Sequence, residues 1–185
     1  MIRTLYTIGH STHSAEEFAA LLKTHGVAQV VDVRSIPKSR HCPQFNFDAM
    51  AEWMPANGLL YLQMKSLGGR RYSRKGSINT GWRNASFRGY ADYMATPEFE
   101  AGLQELMRLA EEHTTAIMCA EAVPWRCHRS LIADALVVRG WDVREIVSAA
   151  PAKAHKLIPF MRVVDGKLTY PNPDEADQGT LGLKP

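Results

Sequence analysis

Two thiols, a carboxylate, an imidazole and two guanidinium groups fall close together in Cys119-Ala-Glu121-Ala-Val-Pro124-Trp-Arg126-Cys127-His128-Arg129. The apolar run before them, Thr115-Ala-Ile-Met118, reads as a buried strand that ends in Cys119 and Glu121. A short turn containing Pro124 follows, and Cys127, His128 and Arg129 then stand at the expected start of a helix. A strand end facing a helix start favours anions, because the first N–H groups and the helix dipole point there. Several chemistries fit these residue types. Beside Arg126, His128 and Arg129, the Cys127 thiol is expected to have a lowered pKa and to act as a nucleophile. Glu121 would take a proton, and His128 and His10 would serve as acid, base or orienting groups. The structural alternative is a small cysteine packed into the first helical turn. Cys119, Glu121, Cys127 and His128 also offer metal ligands, with His10 or His41 to complete a set. Yet the segment has no C-x-x-C and no H-x-x-x-H. Neighbours on a helix also point about 100° apart, so no metal or other cofactor is assigned. A tyrosine-phosphatase loop from Cys119 to Arg126 is one residue too long, has no glycine and places Glu121 where a phosphate would lie. A rhodanese-like persulfide loop meets the same objection from Glu121.

Two other apolar runs end in polar residues: Leu5-Tyr-Thr-Ile8 leads to His10 and Ser11, and the run from Val27 to Val33 carries Asp32 and leads to Arg34. In a parallel sheet these carboxyl ends share one edge, and ligands bind in the crevice outside it. The expectation is one pocket shared by His10, Ser11, Asp32, Arg34, Cys119, Glu121 and Cys127, in which Arg34, Arg40 and Arg129 hold anionic groups. The bland alternative is a set of caps and ion pairs, with Ser11 and Asp32 the residues most suited to it. Residues 65–88 contain Lys65, Arg70, Arg71, Arg74, Lys75, Arg83 and Arg88, no acidic residue, and Tyr72, Trp82 and Phe87 interleaved. Basic and aromatic residues together suit a phosphate backbone with stacked bases, and Ser39, Arg40 and His41 could extend the same surface. A solvated loop paired with acidic residues elsewhere is the alternative. Gly68-Gly69 is not a phosphate loop, because no Gly-Lys-Ser/Thr follows.

These residues must be positioned by regular elements. Ser14-Ala-Glu-Glu17 is a capping box, followed by Phe18, Leu21 and Leu22 at helical spacing and by Gly26 as a stop. Strand, helix and strand with short joins imply a parallel pair with a crossover helix. A short helix is expected over residues 47–57, a strand over 59–62, a short helix over 88–94 and a helix starting at Thr96-Pro97-Glu98. Strands at 115–119 and 142–147 flank a helix over 127–139 that turns Leu131, Ile132, Ala135 and Leu136 inward. Asp165-Gly166 between two short β-rich runs signals a hairpin with a type I′ turn, and residues 171–185 read as a loose tail. The fold class expected is α/β, a single three-layer domain with a mostly parallel sheet, with a C-terminal β-hairpin and tail. Residues 1–150 would form the α/β part, and 151–185 a hairpin and tail packed on the same domain.

The 185 residues are 45% hydrophobic and 22% charged with a net charge of +3, an ordinary globular composition whose charge does not by itself demand nucleic acid. No apolar run approaches the roughly 20 residues that span a bilayer, and Ile2 to Ile8 shows no charged-then-apolar leader. Three cysteines, Cys42, Cys119 and Cys127, are too few and odd for a disulfide framework. A cytoplasmic protein with reduced thiols and no membrane partner is expected. The sequence does not specify an oligomeric state.

An ordered series of motifs resembles the family catalogued as domain of unknown function 488: Thr7-Ile-Gly-His-Ser11; Asp32-Val-Arg34 with Pro37 and Ser39-Arg40; Leu67-Gly-Gly69; Phe87-Arg-Gly-Tyr-Ala91 with Met94; and Met118-Cys-Ala-Glu121 leading to Cys127-His-Arg129. The resemblance runs from Thr7 to about Val147 and continues weakly into Leu168-Thr-Tyr-Pro171. It implies a compact α/β domain and brings no catalytic role. From the residues themselves, the leading expectation is an enzyme of hydrolase or transferase type acting on a phosphate-bearing small molecule, a nucleotide or nucleic acid. Its catalytic residues would be Glu121, Cys127, His128 and His10. Its ligand-binding residues would be Ser11, Asp32, Arg34, Ser39, Arg40, Cys119, Arg129, Arg70 and Arg71. Without a reactive Cys127, Glu121 and a histidine could still run a hydrolysis such as N-glycoside cleavage. The rival is a non-catalytic nucleic-acid-binding module that uses the basic loop.

Overall fold

Alternate residues of the central strands serve two different cores. In a computed structural model that describes residues 3–176, Val31 and Ile117 face one hydrophobic cluster while their neighbours Val30, Ala116 and Met118 face the other, the period-2 alternation of a sheet buried on both sides. The strands are β1 (Thr4–Gly9), β2 (Gln29–Asp32), β3 (Leu60–Gln63), β4 (Thr115–Cys119), β5 (Asp142–Ile146) and β6 (Lys153–Ala154). Their order is β3-β2-β4-β1-β5-β6; the first five are parallel and β6 is antiparallel to β5. Helices α1 (Ala15–Thr24) and α2 (Phe47–Ala56) cover one face through Phe18, Leu22, Met50 and Met54. Helices α3 (Ala85–Tyr93), α4 (Pro97–Glu112) and α5 (Arg129–Val138) cover the other through Tyr90, Phe99, Leu103, Leu131 and Leu136. A hairpin of β7 (Arg162–Val164) and β8 (Lys167–Thr169) and a short helix α6 (Pro173–Ala176) follow.

This order opens a crevice. The helices that follow β1 and β2 lie on one face and the helix that follows β4, their common neighbour, lies on the other. Chain leaving adjacent strand ends therefore diverges, which is the switch-point geometry that holds ligands in open α/β sheets.

Local signals account for the elements. Ser14 and Glu17 form the reciprocal capping box, Thr96 caps α4 with Pro97 in its first turn, and Asp165 and Gly166 take φ of 50° and 75° as a type I′ turn requires. Three expectations are corrected. The helix placed from Cys127 begins at Arg129, because Pro124–Arg126 forms a 3-10 turn that leaves Cys127 extended at φ −131°, ψ 144°. The helix placed over 88–94 begins at Ala85, capped by the Asn84 side chain. The loose tail contains α6, and its residues 177–185 lie outside the described residues. The edge strand β6 is only two exposed residues long and gave no sequence signal.

Under the strand ends lies a buried ion pair. Asp32, fully buried, accepts hydrogen bonds from Arg34 Nε at 2.9 Å, Arg34 Nη2 at 2.6 Å, the Arg34 backbone N–H at 3.0 Å and the Tyr61 hydroxyl at 2.8 Å. Arg34 Nη2 also donates to the Phe45 carbonyl at 2.7 Å, and Nη1 to His10 Nε2 at 3.1 Å. His10 Nδ1 in turn donates to the Ser11 carbonyl at 2.9 Å, and its ring stacks on Phe45. Burial first, and the Arg34 charge after it, hold His10 below its usual pKa, which suits a neutral ring accepting from the guanidinium.

Between α5 and β5, His155 stands 2.8 Å from both Asp134 and Glu145, and Tyr170 donates to the second Asp134 oxygen at 3.0 Å. Burial opposes the charged imidazole, but the two carboxylates outweigh it and raise its pKa to about 9.

Two outcomes are expected. Asp32→Ala strips Arg34 of its counter-charge and lowers unfolding stability by about 3–5 kcal/mol, read from denaturant midpoints. The His155 contribution, with the folded pKa above the ordinary 6.5, is complete below pH 6.5 and disappears as pH rises through about 9. Thermal melts across that window will show the loss in wild type, and His155→Ala will flatten it.

Candidate functional site

A cavity of about 500 Å³ opens at the carboxyl edge of the sheet. Its walls come from the chain after β2 (Arg34, Ser35, Ile36 and Lys38), from the chain after β4 (Cys119, Ala120, Glu121, Arg126, Cys127 and His128) and from the long excursion after β3 (Gly69, Arg70, Ser86 and Phe87).

At its floor two thiols and an imidazole converge. His128 Nδ1 is 3.6 Å from Cys127 Sγ and 4.0 Å from Cys119 Sγ, and the three donor atoms lie within 4.8 Å of one another. The extended backbone at Cys127 makes this possible, since it turns Cys127 and His128 toward a common point rather than about 100° apart as on a helix. The imidazole is fixed from three sides. His128 Nε2 is 2.8 Å from the Val33 carbonyl, which can only accept, so Nε2 carries a proton and Nδ1 is the nitrogen turned to the sulfurs. Tyr90 packs edge-on at 5.0 Å, and Gly69 backs the ring so closely that a Cβ there would stand 2.5 Å from Nδ1.

The thiols differ. The hydrogen bond from Cys127, with His128 and Arg129 adding to it, holds the Cys119 thiol well below the usual range despite its burial. Cys127 gives that bond and is buried, and both effects push its own pKa well up. This corrects the expectation of a lowered Cys127 pKa: the residue precedes the helix, and the stabilised anion belongs to Cys119.

Arg129 opens α5 and is 1% exposed, and its Nε and Nη1 make no hydrogen bond among the described residues. It lies against Gly9, where a Cβ would stand 1.9 Å from the Glu121 carbonyl oxygen and 2.8 Å from Arg129 Nη1. Only glycine lets the end of β1 approach that close. The Glu121 side chain is exposed on the cavity wall and has no hydrogen-bond or ion-pair partner among the described residues.

Of the residues singled out from sequence, Arg34, Cys119, Glu121, Cys127, His128 and Arg70 line the cavity. His10 does not; it lies behind Arg34 and orients it. Asp32 is the buried counter-ion of Arg34, whose Nε and Nη2 are taken up by Asp32 and the Phe45 carbonyl while Nη1 bonds His10. Ser11 forms a turn at φ 48° and offers its carbonyl to His10 and Cys42. Ser39 holds the next loop, accepting from the Cys42 N–H while its own N–H bonds Asn46. Arg40 is exposed and outside the cavity lining. Arg71 is locked over the Tyr93 ring at 3.6 Å and bonds the carbonyls of Lys65, Ser66 and Gly68. Arg88 is likewise held by the Trp82 carbonyl, and buried Asp92 pins the loop through Arg74 N–H, Ser77 and Asn79. Ser35, Ile36, Lys38 and Ser86 were missed as site residues. The rule that ligands sit beyond strand ends could have found the first three, which directly follow Arg34; Ser86 carries no such signal.

Among the described residues no helix is long and apolar enough to cross a membrane. Neither the curated proteins nor the solved structures gave a match to this chain. The family model for Domain of unknown function DUF488 matches residues 14–136, which carry the buried Asp32–Arg34 pair and every residue of the cavity, and the chain belongs to that family.

Proposed function

We propose that the cavity is the active site of an enzyme of hydrolase or transferase type that acts on a phosphate-bearing ligand, a nucleotide or nucleic acid. One observation carries this reading: the reactive groups Cys119, Cys127, His128 and Glu121 line the same cavity as Lys38, Arg70 and Arg126. The three cations suit a phosphate, Arg through paired donors and Lys as a point charge. Phe87 and the exposed Ile36 offer apolar surface to a base. A volume of about 500 Å³ is in the range of small-ligand sites. In this scheme Glu121 moves a proton, and buried Arg129 offsets negative charge at the thiols. Three free cysteines, two of them close enough to oxidise, fit the reducing cytoplasm.

A second reading, a nucleic-acid-binding module without catalysis, is favoured by Tyr72, which is 97% exposed beside Arg70 and near Arg74 and Lys75 on the excursion. Such an arrangement can stack bases while tracking phosphates.

Fluorescence anisotropy with a labelled adenine nucleotide and a short labelled single-stranded DNA separates the two. The enzyme reading expects the double variant Lys38→Ala/Arg70→Ala to weaken nucleotide binding by about tenfold or more, near 1.4 kcal/mol, and Tyr72→Ala to leave it unchanged. It also expects Glu121→Gln to retain binding while abolishing product formation from a nucleotide panel followed by mass spectrometry. DNA binding that depends on Tyr72, with no nucleotide affinity and no product, would establish the module instead.

A further inference from the structure

We propose that Cys119, Cys127 and His128 form a binding site for a zinc-type divalent cation, with its fourth coordination position open to the cavity. The inference deepens the enzyme reading above, on which it rests for the meaning of the cavity.

Geometry is the first support. Zinc bonds thiolate sulfur at about 2.3 Å and imidazole nitrogen at about 2.0–2.1 Å, so a tetrahedral site sets sulfur and nitrogen about 3.6 Å apart and two sulfurs about 3.8 Å apart. Here the sulfur-to-nitrogen distances are 3.6 and 4.0 Å, and no donor atom is more than 4.8 Å from another.

The imidazole is the second support. Its Nε2–H is given to the Val33 carbonyl, so Nδ1 is the nitrogen left to ligate, and it faces the sulfurs. A ligating histidine whose other nitrogen donates to a backbone carbonyl is the usual outer-shell arrangement of metal sites. Gly69 and Tyr90 hold the ring in that orientation. The three ligands also come from elements that do not move independently. Cys119 ends β4, and Cys127 and His128 lead directly into α5.

Charge and softness define the cation. Two thiolates and one imidazole favour zinc and similar borderline or soft metals over magnesium or calcium. Divalent zinc with two thiolates is neutral, and the buried Arg129 guanidinium, with Nε and Nη1 free of partners among the described residues, adds positive charge beside the sulfurs. Three protein ligands are the pattern of a catalytic rather than a closed structural zinc. Cys119, Cys127 and His128 all line the cavity, and so does Glu121, two positions after Cys119 and without a partner among the described residues. A water in the open position would lose one proton to the Glu121 carboxylate and remain as metal-bound hydroxide, the attacking group of a hydrolysis.

The test is cobalt(II) titration of the full chain, chelator-treated and kept reduced. One equivalent per chain is expected to give the near-ultraviolet sulfur-to-cobalt charge-transfer band and the strong visible bands of a tetrahedral site, and zinc chloride is expected to erase both. Cys42→Ser should leave the spectrum intact, since Cys42 Sγ donates to the Ser11 carbonyl in a different part of the fold. Cys119→Ser and Cys127→Ser should each diminish the charge-transfer band. His128→Ala should weaken cobalt binding by more than the roughly tenfold lost with an outer-shell partner. If these variants do not fold, wild type still decides: zinc must slow alkylation of Cys119 and Cys127, mapped by mass spectrometry, without slowing Cys42. A wild-type chain that gives no charge-transfer band, a band that persists in folded Cys119→Ser and Cys127→Ser, or thiols that zinc does not protect would overturn the proposal. The cobalt spectrum does not depend on nucleotide binding, so loss of one reading leaves the other standing or falling by its own measurement.

Discussion

The ion pair between Asp32 and Arg34 is the contact on which the upper edge of the sheet depends. A guanidinium and a carboxylate removed from water are tolerable only when nearly every donor and acceptor is used, and here that demand fixes geometry. One Arg34 side chain reaches the strand that carries it, the end of β1 through His10, and the chain before α2 through Phe45, while Tyr61 of β3 completes the carboxylate. Three strand ends are thereby held at one level. His128 is anchored to that level through the Val33 carbonyl, and Arg34, the thiols and the imidazole line the same cavity.

Two buried arginines stand near the cavity, and they are opposites. Arg34 has a carboxylate and a partner for each of its nitrogens; Arg129 is at least as buried and leaves two nitrogens without partners among the described residues. An unpaired buried charge is expensive, and sites that bind or stabilise anions are where proteins retain one. The nearest groups able to become anionic are Cys119 and Cys127, so the arginine and the thiols belong to one electrostatic unit.

Much of this was legible in the chain. Buried β-branched runs, the Ser14 capping box, the Thr96-Pro97 start and Asp165-Gly166 carry strong local signals, and each produced the element expected of it. The rule that ligands gather beyond parallel strand ends located the cavity before any coordinate. What could not be read were the features decided by one turn of backbone. Pro124–Arg126 closes as a 3-10 turn, and that delay of two residues moves Cys127 out of the helix and turns Cys127 and His128 toward one point. His10 was misplaced for a related reason: a strand-end position says which edge a residue occupies, not whether an arginine already stands between it and the solvent. In the basic excursion, composition could not distinguish a charge bound to its own loop's carbonyls, as in Arg71 and Arg88, from one turned to the cavity, as in Arg70.

Helix α5 has a bearing on how this protein can be cut down. Its first residue, Arg129, stands beside the thiols, while Asp134 on the same rod is sealed by His155 and Tyr170. The stretch matched by the family model stops at residue 136. A minimal fragment trimmed to that stretch would lose both β1 and β5, expose the flank of β4 that β1 covers, and strip the buried Asp134 carboxylate of His155 and Tyr170 along the very helix that anchors the pocket. Any trimmed version intended to keep the pocket should therefore include β1 and extend through Tyr170.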